Sequence, residues 1–335
     1  MSRLPAVFIT RRIPDVGLEL LAGQCQIDLW EEELPPPRER VLEAARDCVG
    51  LLCMLTDPID EGVIAAGEKL RVISQMAVGV DNIDLVAATA RGIPVGHTPG
   101  VLTEATADMA FALLMAAARR IPEGIEKVRA GRWLTWEPMG LLGTDVWGAT
   151  LGIVGLGRIG TAVARRATGF AMRILYHDPE RQPALEAELG IQFAELDALL
   201  PQADFVSLHC PLTPETEHLI NRQALQVMKP SAVLVNTARG PIVDQEALLD
   251  GLAQGWIARA ALDVTDPEPL PADHPLANLP NCIIVPHVAS ATISSRNRMA
   301  AMAAENLLAG LRDQRLPHCA NPAVYEAPEE QRLPG

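Results

Sequence analysis

The sequence predicts an α/β protein built from two doubly wound, Rossmann-like or flavodoxin-like parallel-sheet domains with a cleft between them. Three observations carry this. Short apolar runs alternate with helical patterns along the chain, which implies parallel strands joined by right-handed helical crossovers. The stretch Thr150–Gly160, TLGIVGLGRIG, runs from an apolar strand into Gly155-Leu156-Gly157-Arg158-Ile159-Gly160 and on into a helical pattern, the context a dinucleotide-binding loop requires. Finally, 335 residues of which 49% are hydrophobic leave material for two cores.

Taken in order, the first strands are expected at Ala6–Thr10, Gln26–Trp30, Gly50–Cys53, Arg71–Ser74 and Ile93–Val95, with helices at 14–23, 38–47, Asp60–Ala66 and Leu85–Arg91. This half carries no glycine fingerprint. Thr103 is the expected N-cap of a long helix over 104–131, which Pro122 should kink or interrupt. Residues 132–149 hold Trp133, Trp136 and Trp147 among Pro138 and several glycines without a period, so they read as an irregular arm suited to a homodimer interface. Beyond the glycine loop a helix is expected from Thr161. Strands follow at Arg173–Tyr176, Asp204–Leu208, Ala232–Asn236, Ala258–Asp263 and Cys282–Val285, with helices at Pro183–Leu189, Gln223–Met228 and Asp244–Gln254. The last helix, Ser294–Leu311, is expected to return to the first domain. The expected division is therefore 1–102 with 289–335 as the substrate domain, and 103–288 as the nucleotide domain, arm included.

A formal net charge of −14 argues against a general binder of nucleic acid or anionic membrane, which would need a basic face. No apolar run approaches the ~20 residues that span a bilayer, and the apolar part of MSRLPAVFITRR is too brief for a signal peptide, so a cytoplasmic protein is expected. Cys25, Cys48, Cys53, Cys210, Cys282 and Cys319 show no CxxC or Cys/His metal spacing and read as reduced and structural. No metal is expected.

In the glycine loop, Gly155 permits the tight turn, Gly157 lets backbone approach a pyrophosphate, and Gly160 lets helix and strand pack closely. Leu175-Tyr176-His177-Asp178 ends a second strand in an acid 18 residues after Gly160, near the ~20 expected of a carboxylate that binds a ribose 2′-hydroxyl. That carboxylate would repel a 2′-phosphate, which predicts NAD(H), while Arg181 three residues on keeps NADP(H) within reach.

Open parallel sheets bind ligands beyond the carboxyl ends of their strands. Arg239 follows AVLVN in Asn236-Thr237-Ala238-Arg239-Gly240, Glu268 lies in Asp263-Val264-Thr265-Asp266-Pro267-Glu268-Pro269, and His287 ends CIIV-Pro286-His287. Singly these would pass as a surface ion pair, a loop charge and a strand-end histidine. Together they suit a nicotinamide enzyme acting on a 2-oxo acid: a guanidinium fork for the carboxylate, a histidine that protonates the carbonyl oxygen, and a carboxylate that fixes the imidazole tautomer and stabilises the imidazolium.

At these residues the chain resembles the D-isomer-specific 2-hydroxyacid dehydrogenases, and within them the glyoxylate/hydroxypyruvate reductases. Matching stretches run almost end to end, among them Val7–Pro14, Val78–Asp81, Thr98–Thr103, LGIVGLGRIG, Met228–Pro230, Thr237–Gly240, Leu262–Pro271 and Pro286-His287. The resemblance implies that Arg239, Glu268 and His287 are catalytic, that the N–H groups of Val78 and Gly79, with Leu55, bind substrate, and that Asp263 holds the nicotinamide carboxamide. It implies a cofactor lining of Thr106, Cys210, Pro211, Thr216, Thr237, Ala238 and Ala289 beside the glycine loop. Trp136 resembles the tryptophan that reaches into a partner subunit's substrate pocket. Ala289 stands where the family usually has glycine, which narrows the nicotinamide edge. The implied activity is reduction of glyoxylate to glycolate and of hydroxypyruvate to D-glycerate. Alternatives are another D-2-hydroxyacid dehydrogenase of the phosphoglycerate or phosphite type, or a non-enzymatic NAD-sensing corepressor. Against them stand the lack of room for a regulatory domain, the absence of a lysine at Val78, and the lack of a basic extension.

Overall fold

The computed structural model describes residues 4–326. Within these the chain divides into two units, one formed by the residues up to Leu102 together with those from Thr292 onward, the other by Thr103–Ala291. Residues 1–3 and 327–335 of the expected first domain lie outside the described residues.

The first unit holds β1 (Ala6–Ile9), β2 (Gln26–Leu29), β3 (Gly50–Cys53), β4 (Val72–Gln75) and β5 (Val95–Gly96) in the order β2-β1-β3-β4-β5. Every pairing is parallel. The helices between them run over Asp15–Leu21, Arg38–Asp47, Glu61–Ala66 and Leu85–Ala90. Side chains alternate across a strand, and here both faces are buried. Val7, Ile9, Leu52 and Val72 pack with Met299, Ala300, Ala303 and Leu307 of the helix Ile293–Leu311. Phe8, Leu51, Cys53 and Ile73 face Val41, Ala45, Val63 and Ile64 on the other side.

The second unit holds β6 (Thr150–Val154), β7 (Arg173–His177), β8 (Gln192–Phe193), β9 (Phe205–Leu208), β10 (Val233–Asn236), β11 (Arg259–Leu262) and β12 (Cys282–Ile284) in the order β12-β11-β10-β9-β6-β7-β8, again all parallel. The order reverses between β6 and β9. The loops after β6, β9, β10, β11 and β12 therefore leave the same edge of the sheet near its switch point, where such sheets bind ligands. Leu151 and Ile153 pack towards the helices Thr103–Ala118 and Arg158–Thr168, while Val206, Leu208, Leu234 and Leu262 face Arg222–Val227 and Gln245–Gln254.

The structure adjusts several expectations. The run 104–131 is two helices, Thr103–Ala118 and Ile121–Arg129. The chain leaves the first helix before Pro122, which lacks an N–H and would clash with the preceding turn, and Arg120 turns it with φ +54°. Thr103 is the first helical residue rather than the cap. The helix after the glycine loop begins at Arg158, not Thr161. The two-residue β8 and the single turn Leu196–Leu199 are too short to show a period. The unit boundary falls after Ala291, not 288, because the carboxylate of Asp263 binds the Ala289 N–H at 2.9 Å and the next helix opens only at its N-cap Thr292. Residues 132–149 contain neither helix nor strand, and Trp133, Trp136 and Trp147 are 67%, 80% and 75% exposed.

Among the described residues no helix is long and apolar enough to cross a membrane, and no group of three or more His, Cys, Asp or Glu side chains is disposed to hold a metal.

Candidate active site

The nucleotide end begins where β6 stops. Gly155 turns the chain with φ +91°, and a Cβ there would stand 2.5 Å from the Cys210 nitrogen. A Cβ on Gly160 would stand 2.1 Å from the Gly155 oxygen, whereas one on Gly157 would meet nothing within 4 Å. The loop is thus closed by glycine at two points and open at the third. Gly157 is the N-cap of the helix Arg158–Thr168, so Arg158 and Ile159 present first-turn N–H groups, where the dipole favours anions.

Asp178, just past β7, accepts the Leu156 N–H at 2.8 Å on one oxygen and the Glu180 N–H at 3.1 Å on the other. It is joined to the glycine loop itself. Arg181 donates to both oxygens of Glu186 at 2.8 Å, and Glu186 also accepts from the Tyr176 hydroxyl at 2.8 Å. Past β9, burial pushes the Cys210 thiol up to about 11, so it is an inert apolar contact. Thr216 donates to the Pro211 carbonyl at 2.7 Å and accepts from the Thr213 N–H at 2.8 Å, which closes that loop on itself. Thr106 is buried in the helix Thr103–Ala118. Among the described residues the buried Thr237 hydroxyl has no protein partner, and a buried polar atom of that kind needs one. An open Gly157, free first-turn donors and an orphaned Thr237 hydroxyl fit a nicotinamide dinucleotide.

The loop after β10 is braced by a residue the sequence reading missed. Asn236, 1% exposed, accepts the Ala238 N–H at 3.0 Å and donates to the Arg239 carbonyl at 2.8 Å. Half-buried Arg239 donates from Nη1 to the Ala238 carbonyl at 2.8 Å. Gly240 then passes so close to the loop after β11 that a Cβ would stand 2.0 Å from the Thr265 oxygen. Any side chain there would force the Arg239 loop and the Glu268 loop apart. Gln245 holds the second loop from the other side, accepting from the Asp266 N–H at 3.0 Å and donating to the Asp266 carbonyl.

His287 lies in the left-handed region, φ +51°, which is uncommon for a residue with a Cβ and must be held by its surroundings. Asp263 does the holding. Its carbonyl accepts the His287 N–H at 2.9 Å, and its two carboxylate oxygens accept the N–H groups of Val288 and Ala289 at 2.7 and 2.9 Å. Burial raises the Asp263 carboxyl above its usual range, against the opposing pull of these N–H groups and of His287. Asp263, implied to serve the cofactor, is therefore also the brace of the histidine loop. The imidazole Nδ1 lies 2.5 Å from Oε1 of Glu268, whose Oε2 lies 3.4 Å from the Thr265 nitrogen. With Glu268 as a carboxylate, which only accepts, the contact uses the Nδ1 proton and Nε2 is the other end of the ring.

The structure thus brings Glu268 and His287 into contact and packs the Arg239 loop against the Glu268 loop. Leu55, Val78 and Gly79 belong to the first unit, in the half-exposed loops that follow β3 and β4. Among the described residues the N–H groups of Val78 and Gly79 have no protein acceptor. Trp136 projects from the arm.

Residues 111–289 match the model of the D-isomer specific 2-hydroxyacid dehydrogenase NAD binding domain. The chain belongs to this family. As a 2-hydroxyacid dehydrogenase it is an oxidoreductase of CH–OH groups that uses a nicotinamide cofactor. A glyoxylate reductase of Korarchaeum cryptofilum is 54% identical over 96% of this dehydrogenase and 97% of its own length. The crystal structure of a protein from Thermus thermophilus superposes with a TM-score of 0.89 at 48% identity, covering 94% and 99% of the two chains. An NADPH-dependent glyoxylate/hydroxypyruvate reductase from Sinorhizobium meliloti, crystallised with NADP and malonate, gives 0.85 at 32% identity over 95% and 97%.

Proposed function

We propose that this dehydrogenase reduces glyoxylate to glycolate, and hydroxypyruvate to D-glycerate, with NADH as the preferred reductant. The observation that carries the reading is the 2.5 Å contact between His287 Nδ1 and Glu268 Oε1, which occupies one ring nitrogen and leaves Nε2 for proton transfer at the carboxyl edge of a nucleotide-binding sheet. When bound, the nicotinamide supplies hydride to C2 of the 2-oxo acid. His287 gives its Nε2 proton to the carbonyl oxygen, and Glu268 keeps the ring oriented and offsets the positive charge it carries beforehand. Arg239 offers its fork to the substrate carboxylate; within the first unit, the unclaimed N–H groups of Val78 and Gly79 are the carboxylate donors. The small acids named for the relatives favour glyoxylate and hydroxypyruvate within the family.

The preference for NADH rests on Asp178 at the ribose position and on Arg181, whose guanidinium is spent on Glu186. Its exposed tryptophans make the arm a homodimer interface in this reading, and six free thiols suit the reducing cytoplasm. Oxidation of NADH and NADPH is followed with glyoxylate, hydroxypyruvate and pyruvate on purified protein. Fast oxidation of NADH by either of the first two is expected. Silence with all three, while NADH still binds, overturns the substrate assignment, and a preference for NADPH overturns the role of Asp178. Light scattering that gives a monomer removes the dimer.

A further inference from the structure

The N–H groups of Val78 and Gly79 are aimed by whatever holds the carbonyls behind them. A trans peptide is planar, so the carbonyl of one residue and the N–H of the next point in opposite directions. The Ala77 carbonyl accepts the Thr98 N–H at 2.8 Å, and the Val78 carbonyl lies 2.9 Å from Nδ1 of His97. A carbonyl oxygen only accepts, so Nδ1 of His97 is the donor. The two donors belong to adjacent residues. Both carbonyls therefore face one side, and the N–H groups of Val78 and Gly79 both face the other. Successive N–H groups turned to one side make an anion-binding concavity.

The rest of the surroundings keeps this arrangement fixed. Gln75 donates to the Gly79 carbonyl at 3.0 Å. The His97 carbonyl accepts from Asn306 at 2.9 Å, and Asn306, fully buried, accepts the His318 N–H at 3.0 Å. A donor seated on the Val78 carbonyl also polarises that peptide and makes its N–H a stronger donor.

We propose that His97 is a positioning residue of the substrate-carboxylate cradle, acting through the Val78 carbonyl to hold the Gly79 N–H towards the anion. This rests on the reading of Val78 and Gly79 as the carboxylate site. The side chain needs only a donor one bond beyond Cγ, and asparagine supplies one at the same distance from the backbone as Nδ1.

The test is steady-state reduction of glyoxylate at saturating NADH by the full chain and by His97→Leu and His97→Asn, with NADH affinity followed by fluorescence. His97→Leu is expected to raise the glyoxylate KM about tenfold, the scale of one lost hydrogen bond, without moving the NADH Kd. His97→Asn should recover most of that loss. A purely structural role would lower Tm in both variants and leave KM alone. A KM in His97→Leu within about twofold of the parent overturns the proposal, as does equal impairment of the Leu and Asn variants. Should the leucine variant fail to fold, His97→Ser carries the same expectations. Gly79→Pro, which deletes an N–H outright, separates the two levels. If it leaves KM unchanged, the carboxylate reading falls and His97 with it. If it raises KM while His97→Leu does not, the cradle stands and His97 loses its part.

Discussion

The loops after β4 and β10 occupy comparable places in two doubly wound sheets, yet they offer a ligand different atoms. After β4 the chain presents Val78 and Gly79 with backbone N–H groups turned outward and carbonyls tied down behind them. After β10, β11 and β12 it presents charged side chains, with other polar side chains bracing their loops: buried Asn236 under Arg239, half-buried Gln245 under the Glu268 loop, buried Asp263 under His287. In the proposed reading one site binds with main chain and the other with side chains, while side chains position both. The difference bears on substitution, because a main-chain donor survives most changes at its own residue and a side-chain acid survives none.

That contrast can be broken in four places. Replacing His287 by Ala removes the proton donor, and kcat for glyoxylate should fall about 10³-fold while NADH still binds, as general acids contribute 10² to 10⁴. Near-normal turnover in stopped-flow would end the assignment. Glu268→Gln keeps the shape but loses the charge beside the imidazole, and a drop in kcat of about 10²-fold is expected with KM little altered. At the ribose end, Asp178→Ser should raise the ratio of kcat/KM for NADPH over NADH roughly tenfold, about 1.4 kcal/mol of relieved repulsion. An unmoved ratio would show that Asp178 serves only the Leu156 N–H. The smallest effect is expected where recognition is by backbone: Val78→Ala should change the glyoxylate KM by no more than about threefold, below 1 kcal/mol. A larger loss would mean that the valine side chain itself takes part.

The same contrast explains what could be read before the structure. Arg239, Glu268 and His287 are legible because each is a charged or titratable residue in a loop that follows an apolar strand run. Asn236 left a weaker sign, a polar residue closing AVLVN at a position that proves fully buried, and Gln245 left none, since a glutamine opening a helix is ordinary. The start of the helix at Arg158 was hidden by the glycines around it, which are poor helix formers, so a pattern emerged only from Thr161. The outward turn of the Val78 and Gly79 N–H groups depends on peptide orientation, which no residue type encodes, and the role of His97 depends on it in turn. The position of Pro122 was informative, but Arg120, where the chain bends, was not.

The helix Ile293–Leu311 covers Val7, Leu52 and Val72 in the first unit, but the whole second unit separates it in sequence from Leu102. A ribosome therefore delivers that sheet long before its cover. Until residue 311 has emerged, the apolar face of β1, β3 and β4 has Ile13 and Leu21 of the early chain to pack against but lacks the rest of its cover, the kind of surface on which incomplete chains aggregate. Translation speed and chaperone supply consequently enter into how much working enzyme a cell obtains, through a helix that carries none of the proposed acid, base or carboxylate-binding groups.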